Sequence, residues 1–600
     1  MSASSVGGEL TATPSLVPID PVVPPDDFNR ITRLIARASK LLWIYLALLY
    51  LISFNGQWRI GLDSANYRGL GHSLATGRGY SFGDWAPHNV YPGFPLLLAA
   101  LEKLFGSSAV APCIAMLAVS ILTIVLTYRL IRLHYPRWIA VTVAFGLATN
   151  SWYLQQTSEL MTDVPFLLGV VAALYGWDLL RLGKGSRIRS IAILVVGLAI
   201  AATTRPTFLI LVGAWGAACA WGLIRGTREQ RRIYAIALAT MFLVWIAFLA
   251  FDPRSRGFKP LSGGGYEREA AEIITSGAPT SRLEQVLYVL NDQLPAGFAG
   301  EQLSLFSIKS HGRKYSPSSI VGSLLLLGSI GLLVRRHLAW ALLAWLTVIA
   351  TVIYAAEPRY YLMVMPILLM AWLMLLIAIA RRLPPRWGEV VLGIGLLIVV
   401  ANNLSRSINF VREQRSTPFL EHYKSGKWLP AYRMAMLIRD RLPEGATVLG
   451  PSGSVMSYLS GHHVYSQREI VPTRGHVPEF PRMLYDKHIA YGVFPSSLYK
   501  DKEPAIRRLM ERGIMRAAHH RIAETSGWRL HRLYVHVPGG DWTKIPKGPG
   551  IQYEVRPTTR PTKRPIRPPT TRRSPPTTKP VRPPSTRNVR PPPPATTRNR

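Results

Sequence analysis

Cysteine is almost missing from this chain: Cys113 and Cys219 are the two present in 600 residues. Both sit inside apolar runs, so neither a disulfide framework nor a thiolate metal site is supported. Acid is scarce too, with 33 Asp and Glu against 70 Lys and Arg, a formal net charge of +37. No P-loop, no dinucleotide-binding glycine fingerprint and no HExxH occurs, so ATP hydrolysis, nicotinamide chemistry and zinc proteolysis lack support. The basic excess suggests nucleic acid at first, but its placement argues against that partner. Thirteen Arg and Lys with no acid fall in residues 556–600, and many others cluster in short loops between apolar runs, as membrane topology requires.

What the chain has is long apolar runs. They come in blocks of roughly 15 to 24 residues with almost no charge, the length needed to cross a ~30 Å hydrocarbon core. The reading is an α-helical polytopic membrane protein with about eleven spans, near 38–54, 110–133, 137–150, 160–181, 187–204, 206–225, 232–251, 317–335, 337–355, 360–380 and 387–404. Residues 1–37 are read as a cytoplasmic N-terminal segment. The apolar run after them lacks a small-residue cleavage signal, which predicts a retained signal-anchor helix. With the N-terminus in the cytoplasm, the basic loops Arg129–Arg137, Arg181–Arg189, Arg225–Arg232, Arg335–Arg336 and Arg381–Arg386 all fall inside. The expected location is therefore the inner (cytoplasmic) membrane, with loops 61–106 and 252–316 and everything after Asn402 on the outer face.

Residues 405–555 change character. GATVLGPSGSVMSYLSGHHVYSQREI reads as strand, glycine turn, helix and second strand, predicting a small extracytoplasmic α/β domain. His462 and His463 are read there as surface histidines in a turn, not as a metal site. Residues 556–600 form a Pro/Thr/Arg low-complexity tail that cannot bury a core and is expected to be disordered and extended.

Charges at the outer ends of spans are costly and mark candidate chemistry. Asp63 follows the first span and precedes a helix expected over about Ser64 to Thr76. It is either a helix N-cap or an active-site carboxylate, and His88, Tyr91 and the Pro92/Pro95 pair lie in the same loop. Glu159 and Asp163 in TSELMTDVPFLL stand one helical turn apart and could share a face, with Pro165 marking a helix start; capping and a functional role both remain open. Arg205 in TTRPTF and Arg359 in AEPRYYLMVMP sit on the outer side. Either they snorkel to headgroups or their planar forks bind a phosphate, and Glu357 is a possible ion-pair partner for Arg359.

These stretches, in this order, resemble the membrane-embedded GT-C glycosyltransferases, in particular the protein mannosyltransferase and aminoarabinose transferase branch (glycosyltransferase family 39-like). LDSANYRGLGHSLATGRGY resembles the family's first outer loop, with its acid, a Tyr four residues on (Tyr67) and a glycine-tyrosine ending. NVYPGFPLLLAALEKLFG resembles the return that follows, and TSELMTDVPFLL, TTRPTFLI and EPRYYLMVMPILL match later landmarks. Asp63 is followed by Ser64 where many relatives have an acid pair, and Tyr91-Pro92-Gly93-Phe94-Pro95 stands where the return often reads Pro-Pro-Leu-Tyr.

The resemblance implies transfer of a sugar from a polyprenyl-phosphate carrier to an envelope acceptor (glycan, lipid or protein) at the outer face of the bilayer. Asp63 would be the catalytic carboxylate. Arg205 and Arg359 would hold the lipid phosphate, with Tyr67, His88, Tyr91 and Tyr360 beside them in substrate binding. Glu159 or Asp163 would bind sugar or acceptor hydroxyls, or a divalent cation that some relatives use. A transporter or flippase of lipid-linked sugars is the rival reading, although paired halves with interrupted spans are not visible. An envelope anchor built around the tail leaves the clustered acids unexplained.

Overall fold

The structure, a computed structural model, describes residues 29–56, 58–59, 62–82, 90–251, 286–295, 308–310, 313–354, 358–416, 429–450, 453–466, 484, 488–495, 515–517, 523–525, 528–536 and 542–544. Among them, nine helices are long and apolar enough to cross a membrane, and two shorter apolar helices, Arg137–Ala148 and Leu338–Ile353, stand at the two remaining predicted spans. In chain order the membrane helices are α1 (Asn29–Ser53), α4 (Val110–Arg132), α5 (Arg137–Ala148), α7 (Asp163–Arg181), α8 (Arg187–Thr204), α9 (Phe208–Arg225) and α10 (Arg228–Phe251). They continue as α11 (Pro317–Val334), α12 (Leu338–Tyr354), α13 (Met365–Ala380) and α14 (Pro385–Ser416). Between spans lie α2 (Leu62–Ala75), α3 (Gly93–Phe105), the short α6 (Ser151–Ser158) and a 3₁₀ segment, Pro358–Val364.

Helix α7 is the axis of the bundle, with nearly every side chain buried. Its neighbour α8 approaches through small residues. A Cβ on Gly169 would lie 2.7 Å from Ala201 N, and one on Gly176 would lie 2.6 Å from Leu194 N. Bare backbone is what permits this distance, the usual device where lipid gives helices no hydrophobic reason to associate. Because α7 and α8 run antiparallel, the first residue of α7 and the residue after α8 meet at one end. The bundle's outer surface is apolar instead: Leu48, Phe242, Leu243, Ile246, Leu397 and Ile398 are all exposed. Exposed apolar side chains along several long helices suit lipid, not water.

The basic loops share the other end. Lys184 Nζ donates to Leu133 O at 3.0 Å, His134 Nε2 meets Asp178 Oδ2 at 2.9 Å, and Arg137 Nη2 donates to Ser39 Oγ at 3.2 Å.

Two expectations about elements are corrected. The helix that carries the last span does not end near 404; α14 runs on to Ser416. SRSINFVREQRS contains neither Gly nor Pro, so nothing breaks the helix before Pro418. Glu159 and Asp163 do not share one helix either. Asn150 caps α6 through Tyr153 N at 3.1 Å, α6 ends at Ser158, Leu160 takes a left-handed conformation at φ 50°, and a new helix begins at Asp163.

The α/β region holds α15 (Leu429–Arg441), β3 (Thr447–Gly450), α16 (Gly453–Ser460), β4 (His463–Ser466), β5 (Tyr491–Pro495), β6 (Met515–Ala517), β7 (Ala523–Thr525), β8 (Trp528–His536) and β9 (Trp542–Lys544). A hairpin of β1 (Ile308–Ser310) and β2 (Arg313–Tyr315) precedes it in the chain. The main sheet runs β4-β3-β5-β8-β6, with β7 and β9 also on β8; β3 is parallel to β4 and β5, and β8 is antiparallel to β5. The strand, helix and second strand read in 445–470 are what the structure shows as β3, α16 and β4; the turn read between the first two lies outside the described residues. His462 and His463, expected at the surface, are buried, because the turn into β4 tucks under α16, where Ser457 Oγ accepts from Val464 N at 2.7 Å. The chain divides at 553/554, and the second unit lies wholly outside the described residues.

Candidate active site

Asp63 lies in the first turn of α2, where a carboxylate complements the helix dipole. Its side chain does not cap the helix; it accepts from Arg359 Nη2 at 2.9 Å. Glu357, the sequence-based partner for Arg359, lies outside the described residues, as does His88. The Arg359 side chain is 17% exposed and that of Asp63 40%, so the pair is open to solvent on the acid's side.

A second pair stands beside the first. Arg205 follows α8 in extended conformation and donates through Nη1 to Asp163 Oδ1, both side chains buried. The other Asp163 oxygen, Oδ2, is buried without a hydrogen-bond partner. Tyr360 joins the two pairs, with its ring centre 4.9 Å from the Arg205 guanidinium and 5.7 Å from that of Arg359. An aromatic face between two cations attracts both.

Tyr67 completes the cluster. Its hydroxyl meets Thr162 Oγ1 at 3.3 Å and its ring packs edge-on against Phe94 at 5.5 Å. Burial, helped by the charge of Asp63, pushes its phenol well above the ordinary range, so it stays protonated and can donate. Glu159 sits just beyond the end of α6, held by Gln155 Nε2 at 2.6 Å and Gln156 Nε2 at 3.1 Å. Burial raises its carboxyl above 4.5, opposed by the Gln155 hydrogen bond and by the charges of Arg59 and Arg359.

The geometry thus gathers Asp63, Tyr67, Glu159, Asp163, Arg205, Arg359 and Tyr360. Tyr91 stacks on Phe248 of α10, centroids 5.5 Å apart and planes at 4°. The return motif around it has a mechanical basis: a Cβ on Gly93 would lie 2.8 Å from Thr203 O, so only glycine lets α3 start against the end of α8.

Several participants gave no signal in sequence. Thr162 is an ordinary residue inside a motif read for its acids, and Gln155 and Gln156 stand just before that motif. A third group joins the loop to the α/β region. Arg68 on α2 lies over Trp58 at 5.2 Å and over Tyr458 of α16 at 5.8 Å, and the two rings meet edge to face at 5.0 Å.

For a divalent ion the arrangement fits poorly. Asp63 and Asp163 are each engaged by an arginine and Glu159 by two amides, and the outer carboxylates do not bring three ligands to one point among the described residues.

The bundle, with polar groups gathered at one end under loop helices and an appended α/β region, defines a polytopic membrane protein. No family model and no curated protein matches the sequence. Solved structures do match. ArnT from Cupriavidus metallidurans bound to undecaprenyl phosphate superposes with a TM-score of 0.51 at 13% identity, over 82% of this chain and 97% of that one. ArnT in the apo state gives 0.49 at 12% identity, over 82% and 97%. The oligosaccharyltransferase AglB from Archaeoglobus fulgidus, in complex with an inhibitory peptide and a dolichol-phosphate, gives 0.46 at 13%, over 76% and 70%. The first of these shows the fold: this chain has the GT-C architecture of ArnT.

Proposed function

We propose that this protein is an integral-membrane glycosyltransferase that moves a sugar from a polyprenyl-phosphate carrier to an envelope acceptor at the outer face. The observation that carries the reading is the joined pair of ion pairs, Asp63–Arg359 and Asp163–Arg205, bridged by Tyr360. A structural role accounts for one buried pair, but not for a second, half-open pair whose carboxylate faces solvent. Undecaprenyl phosphate in the solved ArnT complex is the kind of carrier the two guanidinium groups suit.

In this mechanism the acceptor's O–H or N–H proton passes to the Asp63 carboxylate as the acceptor atom bonds the sugar's anomeric carbon. The bond from that carbon to the carrier phosphate breaks, and its electron pair leaves with the phosphate. Arg359 and Arg205 stabilise the charge growing there. A guanidinium has five donors, so pairing with a carboxylate does not exhaust it. Phosphate that draws the Arg359 fork would leave Asp63 more basic, ready for the proton only when donor is bound. Tyr67 and Glu159 would hold sugar or acceptor hydroxyls. Glu159 reaches this site through the break at Leu160, a strained conformation for a residue with a side chain.

The test is turnover of a lipid-linked sugar by purified protein, followed by thin-layer analysis with and without envelope acceptor. Carrier released with acceptor glycosylated supports the reading. Movement of intact lipid-linked sugar across vesicles with no cleavage would instead establish a flippase. The outer placement is checked separately: a cysteine placed near Gly461 in a cysteine-free background should react with an impermeant reagent, and one near Gly185 should not.

A further inference from the structure

Away from this site, the bundle carries a second polar cluster at its basic end. His134 follows α4, Asp178 lies in the last turn of α7, and His337 stands between α11 and α12. All three side chains are buried. Asp163 and Asp178 are fifteen residues apart on one helix, about 22 Å at the helical rise. The cluster is therefore not an extension of the proposed transferase site.

We propose that His134, Asp178 and His337 form a binding site for a zinc-class divalent metal ion that ties together the ends of α4, α7 and α12. One ligand atom from each residue lies within 4.8 Å of the others. Tetrahedral ligands about 2.1 Å from zinc stand about 3.4 Å apart, so closing the site takes side-chain shifts of roughly an ångström. Two imidazoles and a carboxylate match zinc's preferred donors and leave a fourth position open. The ring of His337 is already oriented by stacking on Trp340, centroids 4.3 Å apart and planes at 22°.

A purely structural hydrogen-bond network does not account for all of it. His134 Nε2 and Asp178 Oδ2 satisfy each other at 2.9 Å, yet Nδ1 of His337 is buried with no hydrogen-bond partner. Buried polar atoms in native proteins almost always have a partner, and an ion is one of the standard absentees. Binding would replace the proton between His134 and Asp178, and that proton leaves to water. The opposing group is Arg181, whose Nη2 lies 3.3 Å from Asp178 Oδ1. Its side chain is partly exposed, so it is the group that an arriving ion displaces.

The experiment uses the full chain, tag-free and stripped of metal, titrated with zinc alone and with cobalt alone. We expect one zinc per chain and cobalt ligand-field bands of a low-coordinate nitrogen/oxygen site. His337→Ala should weaken binding at least as much as loss of an outer-shell partner does, ~10–100-fold. Arg181→Gln should tighten it, because the competing cation is gone. Melting curves without metal show that the variants are folded. Should His337→Ala not fold, the Arg181→Gln comparison decides alone. No zinc retained by the wild-type chain, identical cobalt spectra in His337→Ala, or unchanged affinity in Arg181→Gln would overturn the site.

Discussion

Asp63→Asn removes one charge and almost nothing else, which makes it the most informative single change. The carboxylate pairs with Arg359 Nη2 at 2.9 Å, and with the acid's side chain 40% exposed, water screens the pair. Such pairs contribute on the order of 0–1 kcal/mol to stability, and Asn keeps an oxygen in the same place. The melting temperature should therefore move by no more than a few degrees. A lost general base costs ~10²–10⁴ in rate, about 2.7–5.5 kcal/mol of barrier. The two effects differ enough to be told apart in one preparation. The assay is sugar transfer from a polyprenyl-phosphate donor, beside donor binding and a melting curve, for wild type, Asp63→Asn, Arg359→Gln and the double variant. We expect Asp63→Asn to bind donor, melt near wild type and transfer nothing measurable. If Asp63 acted only by positioning Arg359, the double variant would be no worse than either single one. Wild-type turnover in Asp63→Asn refutes the mechanism outright.

Three further expectations rest on the same geometry. Asp163→Asn leaves Arg205 buried without its counter-charge and should cost ~3–5 kcal/mol, whereas Asp163→Leu with Arg205→Met should recover much of the melting temperature and none of the activity; a double variant melting no higher than the single one contradicts this. Burial raises the Glu159 carboxyl above 4.5, so the folded chain holds a proton there that the unfolded chain has lost, and stability falls as pH rises through that window. Glu159→Gln should flatten the slope above pH 4.5 in melting temperature against pH, and an unaltered slope removes Glu159 as its source. Tyr458→Ala takes one wall from the Trp58–Arg68–Tyr458 stack; hydrogen exchange in residues 62–75 should speed up and turnover fall several-fold with donor binding intact, and unchanged exchange would show that α16 does not steady α2.

What the sequence disclosed followed from the bilayer. Hydrocarbon thickness fixes the length of a span, so eleven runs were countable, and the cost of charge near lipid made Asp63, Asp163, Arg205 and Arg359 conspicuous one at a time. Partnership left no such mark. Asp63 and Arg359 are 296 positions apart and Asp163 and Arg205 42, so no local period reports either pair. Glu159 and Asp163 do not share one helical face because the chain breaks at Leu160, whose positive φ has no sequence signature in a residue other than glycine. The buried histidines depart from expectation for another reason: polarity suggested a surface, but a turn entering a parallel strand beneath a helix is interior. These misses bear on mechanism. Taken singly, the acids looked like free bases and the arginines like vacant phosphate clamps. In the structure Asp63 and Asp163 are each an arginine's counter-charge, whereas Glu159 is held by two amides, so a phosphate bound by those arginines would compete with a carboxylate. In the proposed mechanism a clamp that releases its own base on binding donor would tie acid–base readiness to occupancy, and of the two pairs it is the half-open Asp63–Arg359, not the buried one, whose exposure would allow that exchange.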